Sequence, residues 1–246
     1  MTDNPNGRLV GRVALITGAS RGIGAAAARR FAASGHDLLL VSRPGPELEA
    51  LAEELRQGGT RVETAGIDLT VSGAIGPAIA DLCGRGPAPS VLINNAGAAW
   101  TGSLAAMPLE RWQWLLQLNL TSVFEVCSAV VPMLRSTGGG LIINVSSHAA
   151  RAAFPDWGAY CVSKAALQSF SRCLATEERA HGIRVSTLTL GSVNTPLWDS
   201  ETVDSSFDRR AMLAPEQAAD ALLYLAQLPP DQTVEDLTLM PAAGAF

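Results

Sequence analysis

Val13-Ala14-Leu15-Ile16-Thr17-Gly18-Ala19-Ser20-Arg21-Gly22-Ile23-Gly24 is the stretch that decides the fold. A short apolar, partly β-branched run ends in a glycine-rich turn. The turn opens onto Ile23–Ala33, an alanine-rich stretch at helical period. Glycines at 18, 22 and 24 permit a tight turn, close approach of backbone to a pyrophosphate, and close helix–strand contact. The start of the helix attracts an anion. The spacing departs from G-x-G-x-x-G, so the strand–turn–helix context gives the motif its weight.

Working outward, further short apolar runs read as strands: Asp37–Ser42, Arg61–Gly66, Val91–Ile93, Leu141–Val145, Arg184–Leu190 and Leu237–Met240. Between them lie helical patterns at Glu47–Gln57, Leu109–Leu118, Asn119–Arg135, Gly158–Ala180 and Pro215–Gln227. Strands alternating with helices of ten or more residues imply right-handed βαβ units. The expectation is an α/β, doubly wound (Rossmann-type) parallel sheet of about seven strands with helices on both faces. Ligands then bind at the carboxyl ends of the strands. Length and composition suit a single domain over 1–246, with a flexible N-terminus at 1–10.

Composition excludes several classes. Net charge −5 disfavours a nucleic-acid surface. No apolar run approaches the ~20 residues of a membrane span, and the N-terminus lacks the basic and apolar regions of a signal peptide. Cys83, Cys127, Cys161 and Cys173 contain no Cys-x-x-Cys and no histidines at metal spacing, so they read as reduced cytoplasmic thiols, with no metal. Gly-x-Ser-x-Gly is absent and the three histidines show no acidic partner pattern, which removes a serine hydrolase.

The chemistry-bearing residues fall after the strands. At the end of the second, Ser42-Arg43 replaces the carboxylate that a ribose 2′-hydroxyl would want, and Arg21 sits in the first loop. Two guanidiniums beside a small hydroxyl suit a 2′-phosphate, hence NADP(H). Asp68-Leu69 ends the third strand, where the carboxylate suits an adenine amino group or a helix cap. Asn94-Asn95-Ala96-Gly97 suits close passage over an adenosine or a plain turn. Ser147 closes the fifth strand, thirteen residues before Tyr160. Asn119 interrupts an apolar helical stretch, either repairing a helix bend or holding a water that contacts Lys164. His148 either lines a pocket or is a solvated loop residue.

Lys164 is the only lysine; the other 17 of 18 basic residues are arginine. It lies one helical turn after Tyr160, so the ammonium is expected beside the phenol, lowering its pKa toward the range of a general acid.

Jointly, Thr17-Gly-x-x-x-Gly-Ile-Gly24, Asp68, Asn94-Asn-Ala-Gly97, Asn119, Ser147 and Tyr160-x-x-x-Lys164 resemble the short-chain dehydrogenase/reductase family, over Val13 to about Thr195. The ending Leu239-Met240-Pro241 looks like its NADP-dependent carbonyl and 3-oxoacyl (3-hydroxyacid) reductase branch. The resemblance implies Tyr160 as proton donor, Lys164 on the nicotinamide ribose, Ser147 on the carbonyl and Asn119 on a relay water. It also implies a cofactor site of Gly18, Ser20, Arg21, Gly22, Ile23, Gly24, Ser42, Arg43, Asp68, Leu69, Asn95, Ala96, Gly97, Val193 and Thr195, with Tyr160 and Lys164. Leu190 stands where the family usually has proline, which leaves the loop to Val193 less stiff.

The expected function is NADP(H)-dependent oxidoreduction of a small-molecule carbonyl or alcohol in the cytoplasm. The alternatives are a non-catalytic cofactor-binding regulator, or an epimerase or dehydratase, for which the chain leaves little room. Trp100, Phe154, Trp157, Trp198 and Phe207 either wall an apolar substrate pocket, roofed by a lid at 196–213, or anchor that segment. Phe124, Val130, Met133, Phe170 and Leu174 are the expected second apolar face of a homodimer or homotetramer.

Overall fold

The protein is described by a computed structural model covering residues 12–205 and 207–244. The expected flexible segment 1–10 lies outside these, as does Ser206 within 196–213. Seven strands are present: β1 Val13–Thr17, β2 Asp37–Ser42, β3 Val62–Gly66, β4 Val91–Asn94, β5 Gly140–Ser147, β6 Ile183–Leu190 and β7 Asp236–Leu239. The helices are α1 Gly22–Ala33, α2 Pro46–Gln57, α3 Ile75–Gly84, α4 Leu109–Leu116, α5 Ser122–Ser136, α6 Gly158–Glu178 and α7 Pro215–Gln227. The sheet is wholly parallel, in the order β3-β2-β1-β4-β5-β6-β7.

Alternation along the strands divides the core. Ala14 and Ile16 of β1 meet α1, α2 and α7, whereas Val13 and Leu15 meet α3, α5 and α6. Alanines 25–28 line the buried side of α1, which lets that helix lie close to the sheet. The order reverses between β1 and β4, so the chain leaves these two neighbouring strands in opposite directions and opens a crevice at their carboxyl ends.

Boundaries differ where tertiary contacts override the local pattern. β5 runs on to Ser147 because its register with β6 continues to Ser147 opposite Leu190. The helix expected to end at Leu118 becomes a π-helical turn at Gln117–Thr121 before α5 begins. α3 carries Gly76 and Pro77, which obscure its pattern, yet a first helical turn has no internal partner for those N–H groups. The run Leu109–Ser136 is long and apolar enough by composition to cross a membrane, but Val123, Val126, Cys127, Val130 and Leu134 are buried in the core. The expected second apolar face is therefore corrected: Val130 is interior, and Met133, Phe170 and Leu174 are half-buried against the core. Of the five, only Phe124 is exposed.

His36 is buried at the start of β2, its ring 4.9 Å from Phe31. Ser34 gives its hydroxyl proton to the Phe31 carbonyl (2.8 Å), so the 2.8 Å contact from Ser34 to His36 has Nδ1 as donor. Nε2 is then a buried lone pair without a partner. Desolvation, reinforced by Arg12, holds the His36 pKa at about 4. Between about 4 and 6.5 the unfolded chain binds a proton that the native ring refuses. This contribution to stability is therefore complete above pH 6.5 and is lost as pH falls toward about 4, by up to ~3 kcal/mol. His36→Phe keeps the ring contact and should shrink the drop in Tm between pH 7 and pH 4.5. An unchanged drop would assign the loss to carboxylates instead.

Candidate active site

The crevice is held open by two side chains. Thr17, the last residue of β1, accepts hydrogen bonds at its hydroxyl from the amides of Asn95 (3.0 Å) and Ala96 (3.1 Å). The Asn95 amide donates back to the carbonyls of Thr17 (3.0 Å) and Gly18 (3.3 Å). Gly18 has φ +66, and a Cβ there would come within 2.9 Å of the Ala96 Cα; a Cβ on Gly24 would collide with the Gly18 carbonyl. Gly22, at φ +55, leaves space that faces Thr195. A floor cleared of side chains at a helix start fits the pyrophosphate of a dinucleotide.

The groove continues past Ser20, Arg21, Ser42, Arg43, Asp68 and Leu69. Ser42 donates to Ser20 at 2.8 Å. Arg21 and Arg43 are both exposed and neither forms an ion pair among the described residues, so their guanidiniums are available to a phosphate. Asp68 binds the Thr70 hydroxyl (2.7 Å) and amide (2.9 Å), which hold its carboxyl below the usual range, with a smaller effect from Arg43. Asp68 thus closes a local turn and does not cap a helix, since α3 begins only at Ile75.

On α6, Lys164 donates to the Val145 carbonyl at 3.0 Å, and its Nζ lies 5.8 Å from the Tyr160 ring centroid. Tyr160 is hydrogen-bonded to the Ser147 hydroxyl, which also accepts the Ala149 amide at 3.2 Å. The expected lowering of the Tyr160 pKa does not appear. Burial pushes the phenol up to about 12, with Ser147 pulling part of the way back. The ring is enclosed by protein although part of the residue still faces the cleft. Burial also lowers Lys164 to about 8.

The π-helical turn places Asn119 fully inside. Its carbonyl accepts the Ala98 amide (2.9 Å), and its amide donates to the Ala98 carbonyl (2.9 Å) and to Ser163 (3.0 Å). Asn119 therefore pins the chain after β4, more than it repairs a bend. A Cβ on Gly97 would lie 3.2 Å from Asn119 Oδ1 and 3.6 Å from Lys164 Nζ, so this glycine sets the spacing between them.

A second cleft, about 940 Å³ counted to its open mouth, adjoins Tyr160, Ser147 and Lys164. Phe154, Trp157, Trp198, Phe207 and His148 line it together with Val193 and Thr195, of which only Thr195 also lines the groove. Trp100 does not: its ring lies over the backbone of Gly102, where a Cβ would come within 2.5 Å. Leu190, in place of proline, pairs in register with Ser147 and Leu239. Gly191 donates to the Leu239 carbonyl at 2.9 Å and sits against Pro241. Sequence reasoning missed Arg209, which bonds Asn194 (2.7 Å), the Thr195 carbonyl (3.0 Å) and Asp199 (2.9 Å). An arginine ten or more residues from its partners gives no local signal.

The sequence profile of the short chain dehydrogenase family matches residues 12–205. Sulfoacetaldehyde reductase 2 of Chromohalobacter salexigens is 34% identical over 95% of this chain and 96% of its own length. Among solved structures, a metagenomic short-chain oxidoreductase in complex with NADP superposes with a TM-score of 0.82 at 32% identity, covering 94% of this chain and 98% of that one. Carveol dehydrogenase from Mycobacterium avium in complex with NAD reaches 0.86 at 26% identity, covering 95% and 98%. The chain belongs to the short-chain dehydrogenase family and is an oxidoreductase of that family.

Proposed function

We propose that this protein interconverts a carbonyl compound and its alcohol with NADP(H), and that Tyr160 is the general acid and base. The observation that carries the reading is the meeting of the Tyr160 phenol, the Ser147 hydroxyl and the buried Lys164 ammonium at the mouth of the glycine-floored crevice. NADP(H) supplies or accepts the hydride when bound. Gly18 to Gly24 hold its pyrophosphate, Ser20, Arg21, Ser42 and Arg43 its 2′-phosphate, and Asp68 and Leu69 its adenine side. Asn95, Ala96, Gly97, Val193 and Thr195, with Lys164, hold the remainder. The arginine pair, with no carboxylate at the end of β2, favours NADP(H) over NAD(H).

Ser147 orients the substrate oxygen against the phenol. At neutral pH the phenol keeps its proton, since burial holds its pKa at about 12; it is poised to donate to a developing alkoxide. Alcohol oxidation needs the phenolate, so its rate should climb with pH on the alkaline side while reduction does not. Asn119 fixes the backbone at Ala98 and, across Gly97, faces Lys164. The chain acts in the cytoplasm as a homodimer or homotetramer, through exposed apolar residues that include Phe124 and Val162.

Tyr160→Phe should leave NADPH binding in place and lower kcat for NADPH-dependent ketone reduction by at least about 10². Retention of most of kcat would make Tyr160 a packing residue. In the unmodified protein, NADPH binding without turnover of any carbonyl would favour the regulator. Arg43→Asp should shift the ratio of kcat/KM for NADPH over NADH by roughly 10- to 100-fold toward NADH, the worth of an anionic contact. Equal kcat/KM for both cofactors in the parent would refute the preference.

A further inference from the structure

The two ends of the crevice differ in charge. The nucleotide groove carries Arg21 and Arg43. The second cleft has no Asp, Glu or Arg among its described lining residues. Its one ammonium, Lys164, is already bonded to the Val145 carbonyl. The remaining wall is mixed, with small and aliphatic residues, the Ser146, Ser147 and Ser192 hydroxyls and the His148 imidazole beside a group of aromatic rings. Trp157 stands edge-on to Tyr160 at 5.6 Å, and Trp198 lies 5.5 Å from Trp157 and 5.5 Å from Phe207.

Trp198 is fixed from three directions. Its Nε1 donates to the Val193 carbonyl at 2.8 Å. Its short turn, Pro196–Asp199, is capped by the Thr195 hydroxyl. Arg209 ties Asn194, the Thr195 carbonyl and Asp199 together around it. A side chain held this way presents a defined surface and loses little entropy when a ligand meets it.

Resting on the carbonyl-reducing reading above, we propose that this cleft selects a neutral ketone with an aryl arm packed against the joined faces of Trp157 and Trp198, that Trp198 is the specificity-determining residue, and that Arg209 positions it. A carboxylate or sulfonate on the substrate would lose its hydration and meet no guanidinium in the cleft, where the single ammonium, Lys164, is already bonded to Val145 and set beside the phenol. A quaternary ammonium would find rings but no carboxylate, and would face the Lys164 ammonium. An aryl group gains edge and offset contacts with the two indoles.

The test uses two ketones alike at the reacting carbonyl and differing in charge: methyl 4-oxo-4-phenylbutanoate and 4-oxo-4-phenylbutanoate. 2-Butanone, betaine aldehyde and sulfoacetaldehyde complete the panel. With NADPH, kcat/KM should favour the ester over the carboxylate by at least about tenfold. Trp198→Ala should raise KM for the ester by about tenfold and affect 2-butanone less, with Trp198→Phe recovering part of the loss. Arg209→Ala should raise the same KM, and the double variant should be no worse than Trp198→Ala alone. Reduction of the carboxylate or betaine aldehyde as well as the ester overturns the proposal, and so does an unmoved KM in Trp198→Ala. Quenching of tryptophan fluorescence by the ester without NADPH oxidation would support the cleft's selectivity and sink the oxidoreductase mechanism. Tyr160-dependent reduction of sulfoacetaldehyde, with the ester neither bound nor reduced, would do the reverse.

Discussion

The structure depends on how the chain parts at the ends of β1 and β4. Two neighbouring parallel strands leave the sheet in opposite directions there, which exposes backbone donors and acceptors with no strand to pair them. Thr17 and Asn95 satisfy them reciprocally, a hydroxyl taking two amides and a side-chain amide giving to two carbonyls. The bonds hold the crevice open while binding the two loops together. Next to them Asn94 donates to Asn144 (2.9 Å) and Asn144 to Ser171 (2.8 Å), which carries the polar tie from β4 through β5 to α6. The helix bearing Tyr160 and Lys164 is therefore referenced to the same strand ends as the glycine turn.

Burial governs the electrostatics of the proposed proton-transfer site. A lysine and a tyrosine one turn apart would, in water, attract through the ionised phenol. Here the groups sit in a medium that penalises both charges, so the phenol rises to about 12 and the ammonium falls to about 8. The ammonium is compensated by one carbonyl, from Val145, and its Nζ lies 5.8 Å from the centre of the Tyr160 ring. At neutral pH the phenol of Tyr160 therefore keeps its proton.

Most of the fold was legible because its signals are local and repeated. The runs at β1, β2 and α7 came out at their observed ends, since each is bounded by turn residues or proline. The site residues were legible as types at strand ends, where a parallel sheet leaves few places for polar side chains. What escaped depends on contacts distant in sequence. No pattern announces the π-helical turn at Asn119, because it follows from the asparagine's bonds to Ala98, 21 residues away. Val130 looked like a free face because periodicity shows that a helix has two apolar sides without showing which neighbour covers each. The sign of the Tyr160 shift was missed for the same reason: adjacency is written in the sequence, whereas desolvation belongs to the whole enclosure.

The segment after β6 is held by contacts on both of its sides. A proline at 190 would stiffen the loop through its own ring; Leu190 instead keeps its place in register between Ser147 and Leu239, and Gly191 lies under Pro241. Rigidity is supplied from outside the loop, by the C-terminal strand on one side and by Arg209 on the other. Within the loop, the Asn194 amide oxygen and the Thr195 hydroxyl take part in holding its path. Trp198 thus sits in the wall of the cleft on a mount held from both sides, above the strand ends that form the crevice.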